Sequence, residues 1–250
     1  SPLYAADRER PLTGKFSLMP KIGTDFTVGG AFVKAAKISE TLTLGSSTIT
    51  ADISSDSQDF DDVYHSPISS GLSLNYGLTD FSEVFINLGY LKAESKEFDG
   101  ATVDVGGSFG SLTVSASELI TAEFDDYHET SLNMGVRHFF NRFGSLSPFV
   151  SLEGGVKHTE KIELELSIAN ESISEITFYD ESWTPNFGTG VGVLLEIKDN
   201  ISFMAETGLH YDFQLNEDNT DWRGGEDYEN VNDGGERWSV PLMFSLRISL

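Results

Sequence analysis

The segment 237–250 limits the possible folds more than any other. Its even positions read Trp238, Val240, Leu242, Phe244, Leu246, Ile248 and Leu250. Its odd positions read Arg237, Ser239, Pro241, Met243, Ser245, Arg247 and Ser249. Side chains alternate faces along a strand, so this period of two makes one face wholly apolar and the other mostly polar. A helix would scatter the same residues around its circumference. Seven more stretches alternate similarly, near Ile22–Val33, Ser66–Tyr76, Val84–Leu91, Glu129–Phe139, Pro148–Lys157, Pro185–Glu196 and Ser202–Gln214. Each has about the 9–11 residues with which a tilted strand crosses a bilayer.

The connections alternate in length. Gly77–Glu83, Phe140–Ser147 and Ile197–Ile201 are short and carry turn residues such as Asp80, Asn141, Gly144, Asp199 and Asn200. Those over about 37–65, 94–129, 158–184 and 215–237 are long. Short turns at one end, long loops at the other and an even strand number predict an all-β chain. The expected fold is a transmembrane antiparallel up-and-down β-barrel of eight strands over residues 15–250. Residues 1–14 are expected to form a tail on the short-turn side. Phe16, Leu18, Ile22, Phe26, Val28 and Phe32 keep even parity. One long first strand is therefore expected, with no turn at Thr24-Asp25-Phe26. Within the loops, Glu40–Ser54, Thr102–Ser117 (around Gly106-Gly107 and Gly110) and Lys161–Tyr179 read as hairpins. They predict a β-rich crown above the membrane.

A soluble lipocalin-like ligand-binding barrel would also alternate, with its apolar face inward. The charges favour the membrane. No Asp, Glu, Lys or Arg falls on the apolar face of the eight segments, whereas the other face carries Asp25, Glu129, Arg137, Glu153, Lys157, Glu196, Glu206, Asp212, Arg237 and Arg247. A Lys or Arg at the bilayer midplane of a barrel costs roughly 2–4 kcal/mol. Aromatic residues fall in two bands, as interfacial girdles require. Tyr76, Phe81, Phe139, Phe140, Phe143, Phe149 and Phe203 lie toward the short turns. Phe32, Tyr64, Tyr90, Trp183, Tyr211, Phe213 and Trp238 lie toward the long loops.

With these features the chain resembles the small bacterial outer-membrane barrels of the OmpA transmembrane-domain type. Phe244, Leu246, Ile248 and Leu250 are similar to the C-terminal signal read by the barrel-insertion machinery, although many members end in Phe and this chain ends in Leu. The resemblance implies a Gram-negative-type outer membrane, periplasmic termini and contact with outer-membrane lipid and lipopolysaccharide. No basic, apolar leader opens the chain, so a signal peptide is expected to have been removed already. No peptidoglycan-binding domain is expected after Leu250.

An eight-stranded barrel is just wide enough for side chains to fill it. Glu129, Arg137, Glu153, Lys157, Glu206, His210, Asp212 and Arg247 are the candidate lumen residues. They are read either as a salt-bridged plug or as a gate whose pairs exchange. His210 and Asp212, with Glu206, could be imagined as an acid/base group. No Ser-His-acid order or HExxH spacing supports an enzyme. The absence of cysteine removes disulfides, thiolate metal sites and cysteine nucleophiles.

The formal charge is -24, and it is unevenly placed. The four long connections hold thirty acids and five bases, against ten and eleven elsewhere. Nucleic acid is excluded as a partner, because phosphates need a positive patch. No cofactor is expected. Dense carboxylates can hold Ca²⁺ or another hard cation. The local candidates are Asp56, Asp59, Asp61 and Asp62; Asp125 and Asp126; and Glu217, Asp218 and Asp221, none in the spacing of a calcium loop. The alternative is a solvated, repulsive surface. The leading expectation is a non-enzymatic structural or surface-interaction protein, with adhesion or self-association through the crown. The alternatives are a narrow channel or porin-like conduit, a soluble ligand-binding barrel, and a barrel-embedded lipid-modifying enzyme or protease.

Overall fold

The computed structural model of the protein describes residues 12–44, 47–109, 112–169, 171–216 and 231–250. In chain order the first elements are β1 (Phe16–Gly29), β2 (Ala31–Val33), β3 (Ala36–Leu44), β4 (Ser47–Ser55), β5 (Gln58–Asp59) and the one-turn helix α1 (Phe60–Val63). Next come β6 (Ile68–Gly77), β7 (Ser82–Ala93), β8 (Phe98–Phe109), β9 (Leu112–Phe124), β10 (Tyr127–Phe139) and β11 (Leu146–Thr159). Finally there are β12 (Ile162–Ile168), β13 (Glu171–Tyr179), β14 (Ser182–Lys198), β15 (Ile201–Asp212) and β16 (Arg237–Ser249).

Eight strands close an antiparallel barrel in the order β1-β16-β15-β14-β11-β10-β7-β6. The last strand pairs with the first, Ile22 facing Phe244 and Phe26 facing Val240, so no edge is left open. These are the eight segments read from the alternation, most of them longer than expected. The registers put the apolar parity outward. Ile22, Ile86, Leu88, Leu132, Met134, Leu152, Val191 and Leu242 are exposed around the waist. Among the described residues, the Asp, Glu, Lys and Arg on the outward face of the eight staves are Lys92 at the long-loop rim and Lys198, which pairs with Ile201 at the short-turn rim. An exposed apolar belt of this size, free of charge, requires lipid around it. The barrel is a transmembrane one.

The first strand differs from its expected span in a useful way. It begins at Phe16 and passes through Thr24-Asp25-Phe26 without a turn. It ends at Gly29 because Gly30 has φ +108°, and a Cβ there would lie 2.1 Å from the Glu236 carbonyl oxygen. Only glycine fits that kink. The chain then leaves the barrel as β2, which pairs with β5.

Above the barrel, three long connections form hairpins that join into one six-stranded sheet, β13-β12-β9-β8-β4-β3. The expected hairpins are present, but Gly106-Gly107 lies inside β8. The crown has its own core, which includes Phe32, Phe60, Val63, Tyr64, Phe124, Tyr127, Ile162, Phe178 and Tyr179. Two assignments to the upper girdle are therefore corrected. Phe32 and Tyr64 are buried in this core, because Gly30 and the helix α1 turn them inward. At the other end Phe139 and Phe149 are also corrected. They share the inward parity of Arg137 and pack with Met19, Leu194 and Met204 inside the lumen. The remaining girdle aromatics, among them Tyr76, Phe81, Phe143, Tyr90, Trp183 and Trp238, do face outward.

Candidate functional site

Parity aims the polar residues of all eight staves into a lumen too narrow for water to solvate each charge. Buried charges must then be paired. They form two layers.

The layer nearer the short turns is centred on Arg137. Its Nη1 donates to Glu83 Oε1 at 2.6 Å, and its Nη2 lies 3.4 Å from Glu206 Oε2. Arg247 Nη2 reaches the other Glu83 oxygen at 2.7 Å. The Arg137 guanidinium lies between the rings of Phe85 (4.8 Å) and Phe149 (5.0 Å), which adds a cation–π contact on each side. Lys21 stands over Phe85 at 5.6 Å.

The layer nearer the long loops joins five charges. Lys157 Nζ is 2.8 Å from both Glu129 Oε2 and Asp212 Oδ2. Arg237 donates to Asp212 through Nε (3.0 Å) and Nη2 (2.8 Å), with Asp25 at 3.5 Å and Glu129 at 3.7 Å. Ser239 Oγ donates to Asp25 at 3.0 Å, and Tyr127 Oη to Glu129 at 2.9 Å.

The crown core covers this layer. Phe60 lies 4.9 Å from the Arg237 guanidinium. Phe32 meets Phe60, Tyr64, Phe124 and Tyr179 edge-on, with ring centroids 5.1–5.8 Å apart. Tyr179 Oη donates to the Phe32 carbonyl at 2.6 Å. Burial, and then the neighbouring Tyr127, push the Tyr64 phenol well above its ordinary pKa, so it stays neutral. Between the layers is a polar cavity of about 110 Å³, lined by Lys21, Asp25, Asn133, Glu153, Glu206 and His210 among others. Gly188 and Gly190 make room for it: a Cβ at either would lie 2.3 Å from the His210 ring or 2.5 Å from Glu206.

All eight candidate lumen residues point into the barrel, and Glu129, Glu153, Glu206, His210 and Asp212 line the cavity between the layers, but their ion pairs are separate. Glu206 pairs with Arg137, Asp212 with Lys157 and Arg237, and His210 lies 3.4 Å from Glu153. The imagined acid/base group of Glu206, His210 and Asp212 thus shares one cavity, with each member held by a different partner. Sequence reasoning missed Glu83, assigned to a turn, and Lys21, which lies on the inward parity of the long first strand but was not named among the lumen charges. Extending the parity of Val84–Leu91 by one residue would have found Glu83, and following the odd positions of the first strand would have found Lys21. It also missed the aromatic cap, although Phe60, Val63 and Tyr64 have the i, i+3, i+4 spacing of one helical face.

The acidic candidates separate as well. Carboxylate oxygens of Asp59, Asp61 and Asp62 lie within 4.8 Å of one another, on and beside α1. The Asp62 carboxylate also accepts the Asp59 N–H at 2.8 Å. Burial raises the Asp59 pKa first, and Asp62 and Asp61 add to it. Asp56 is outside that group. Asp126 pairs with Lys92 at 2.8 Å, and Asp125 is not part of a carboxylate group. Glu217, Asp218 and Asp221 lie outside the described residues. Phe244, Leu246, Ile248 and Leu250 form an exposed outward stripe on β16 and after it.

Solved structures with similar folds are outer-membrane barrels. Neisserial surface protein A has 12% identity and a TM-score of 0.44, covering 93% of this chain and 96% of its own. Ail, the attachment invasion locus protein of Yersinia pestis, has 12% identity and a TM-score of 0.38, covering 94% and 99%. The outer membrane protease OmpT of Escherichia coli has 10% identity and a TM-score of 0.38, covering 95% and 94%. These likenesses concern the fold alone. No family model and no curated protein matches the chain.

Proposed function

We propose that this chain is a non-enzymatic outer-membrane barrel of a Gram-negative-type cell, with termini in the periplasm and the crown outside, and that it acts in recognition at the surface. The observation that carries this reading is the contrast between the two ends of the molecule. The lumen is crossed by two layers of buried paired charge and capped by aromatic rings. The long-loop side instead builds a six-stranded sheet and holds nearly all the net charge. Material invested in a large ordered crown, above a filled barrel, suits binding better than passage. Candidate partners are a protein on a neighbouring surface, a second copy of this chain, or lipopolysaccharide.

The test displays the full chain, and a variant with β3–β4 and β8–β9 replaced by short turns, on outer membranes of a host cell. Adhesion and cell–cell aggregation should fall in the trimmed variant at equal surface expression. Equal adhesion and aggregation would overturn the reading.

The polar cavity favours a second reading, a gated conduit whose ion pairs exchange to pass small ions. On that reading Arg137→Ala or Arg247→Ala changes the conductance of planar bilayers; unchanged traces would remove it.

A further inference from the structure

The crown sheet has two chemically different faces. Cross-strand neighbours share a face. Leu42, Ile49 and Val114 therefore stand in one row, Val105 in the next, and Ile53 beside Val103 in the third. Lower on this same face Ala122, Phe124 and Leu164 are buried in the aromatic core. The opposite face carries Thr41, Thr50, Asp52, Asp104 and Ser115. The aliphatic face thus continues the core upward, but no described residue covers its top: Leu42 is 57% exposed and Val114 50%. An exposed apolar patch rimmed by polar groups marks a place where something binds.

The charges around the patch narrow the occupant. Glu118 sits on the aliphatic face itself, directly opposite Val103. Asp52 and Asp104 face each other on the reverse side of the same strands. The connections that build the crown are acidic throughout. An anionic amphiphile such as a fatty acid would match the face but be repelled by the crown. A polycation would match the charge and leave the aliphatic side chains wet. We propose that the aliphatic face of the crown binds a cationic amphipathic peptide, with aliphatic side chains on the rows of Leu42, Val105 and Val114 and a Lys or Arg at Glu118. This deepens the surface-recognition reading and rests on it.

The test uses the full chain in nanodiscs of zwitterionic lipid, without free detergent, with empty nanodiscs as the blank. The probe is a fluorescent peptide of alternating Lys and Leu, read by anisotropy. Saturable binding is expected, weaker by about tenfold or more in Val105→Ser/Val114→Ser, through lost apolar contact. It should also weaken in Glu118→Gln and as salt rises from about 0.05 to about 0.5 M. Thr41→Ala, on the polar face, should leave it unchanged. All variants are first checked for the heat-shifted gel mobility of a folded barrel. No saturable binding, equal binding of a Lys/Ser or a Glu/Leu peptide, or full affinity in the double valine variant would overturn the proposal. The broader reading has its own result: crown-dependent adhesion that persists without peptide binding removes this inference alone.

Discussion

Glu83 shows how much a single buried carboxylate can hold in place. It faces Arg137 on one oxygen and Arg247 on the other, with no solvent to take over either role. Removing one partner of a buried pair leaves an uncompensated charge and costs about 3–5 kcal/mol. Glu83→Gln should lower stability by that order, read as the urea midpoint of the heat-shifted gel band. Arg137→Met should cost less, because Glu83 keeps Arg247 and the methionine fills the slot between Phe85 and Phe149. Equal costs would mean that the two arginines do not share Glu83. The crown has two carboxylates with opposite pH behaviour. A hydrogen bond from Lys92, and then one from the Ser95 N–H, hold Asp126 below the usual carboxylate range. Its contribution is present above the ordinary carboxylate pKa and is lost as pH falls through the lowered one. The pair is partly exposed, so solvent and salt reduce the effect. Asp59 is shifted upward, so its contribution is present at low pH and is lost as pH rises through the raised value. Glu163, held down by a hydrogen bond from Lys161, behaves like Asp126, so proteolysis of the crown against pH should show an acid limb that Asp126→Asn reduces and Asp59→Asn leaves. At this scale the lumen charges were legible because one parity runs the length of a strand. Glu83 was not, because a turn and a strand start look alike when both are polar.

The elements of the crown were legible as hairpins, but their packing was not. Hairpin signals are local, whereas Phe32 and Phe60, Phe124, and Tyr179 come from three different connections and meet only once the barrel has closed. A helix of one turn is too short to be stable from its own propensity. α1 persists because Phe60, Val63 and Tyr64 bury one face. Truncating such a core phenylalanine typically costs about 3–5 kcal/mol. In Phe60→Ala that loss should fall on the crown: limited proteolysis should cut the long connections while the barrel keeps its heat-shifted mobility. A barrel that unfolded with the crown would show the two to be one cooperative unit. The sheet above also carries a defect that can be repaired. Asp52 and Asp104 are direct cross-strand neighbours, and like charges so placed are destabilising by some tenths of a kcal/mol to about 1. Asp104→Asn should slow proteolysis of β4 and β8. No change would mean that the Ser39 hydroxyl, which donates to Asp52, already offsets the repulsion.

At the scale of the whole molecule, the alternation along 237–250 was enough to give the barrel, because lipid outside and a narrow lumen inside impose one rule on every stave. It could not say whether the barrel conducts, since that depends on how the interior charges pair in three dimensions. The geometry places two barriers in series: Arg137 with Glu83 and Arg247 toward the short turns, and Lys157 with Arg237 under Phe60 toward the crown. In series the tighter barrier controls the current. Wild-type protein in planar bilayers should show no steady conductance, and neither should Arg137→Ala nor Phe60→Ala alone. The double variant removes a guanidinium from one layer and the ring above the other. With both barriers weakened beside the cavity of about 110 Å³, it should give discrete openings. Openings from Arg137→Ala alone would show that the upper layer is no barrier, and would turn the molecule from a capped stand for its crown into a gated conduit.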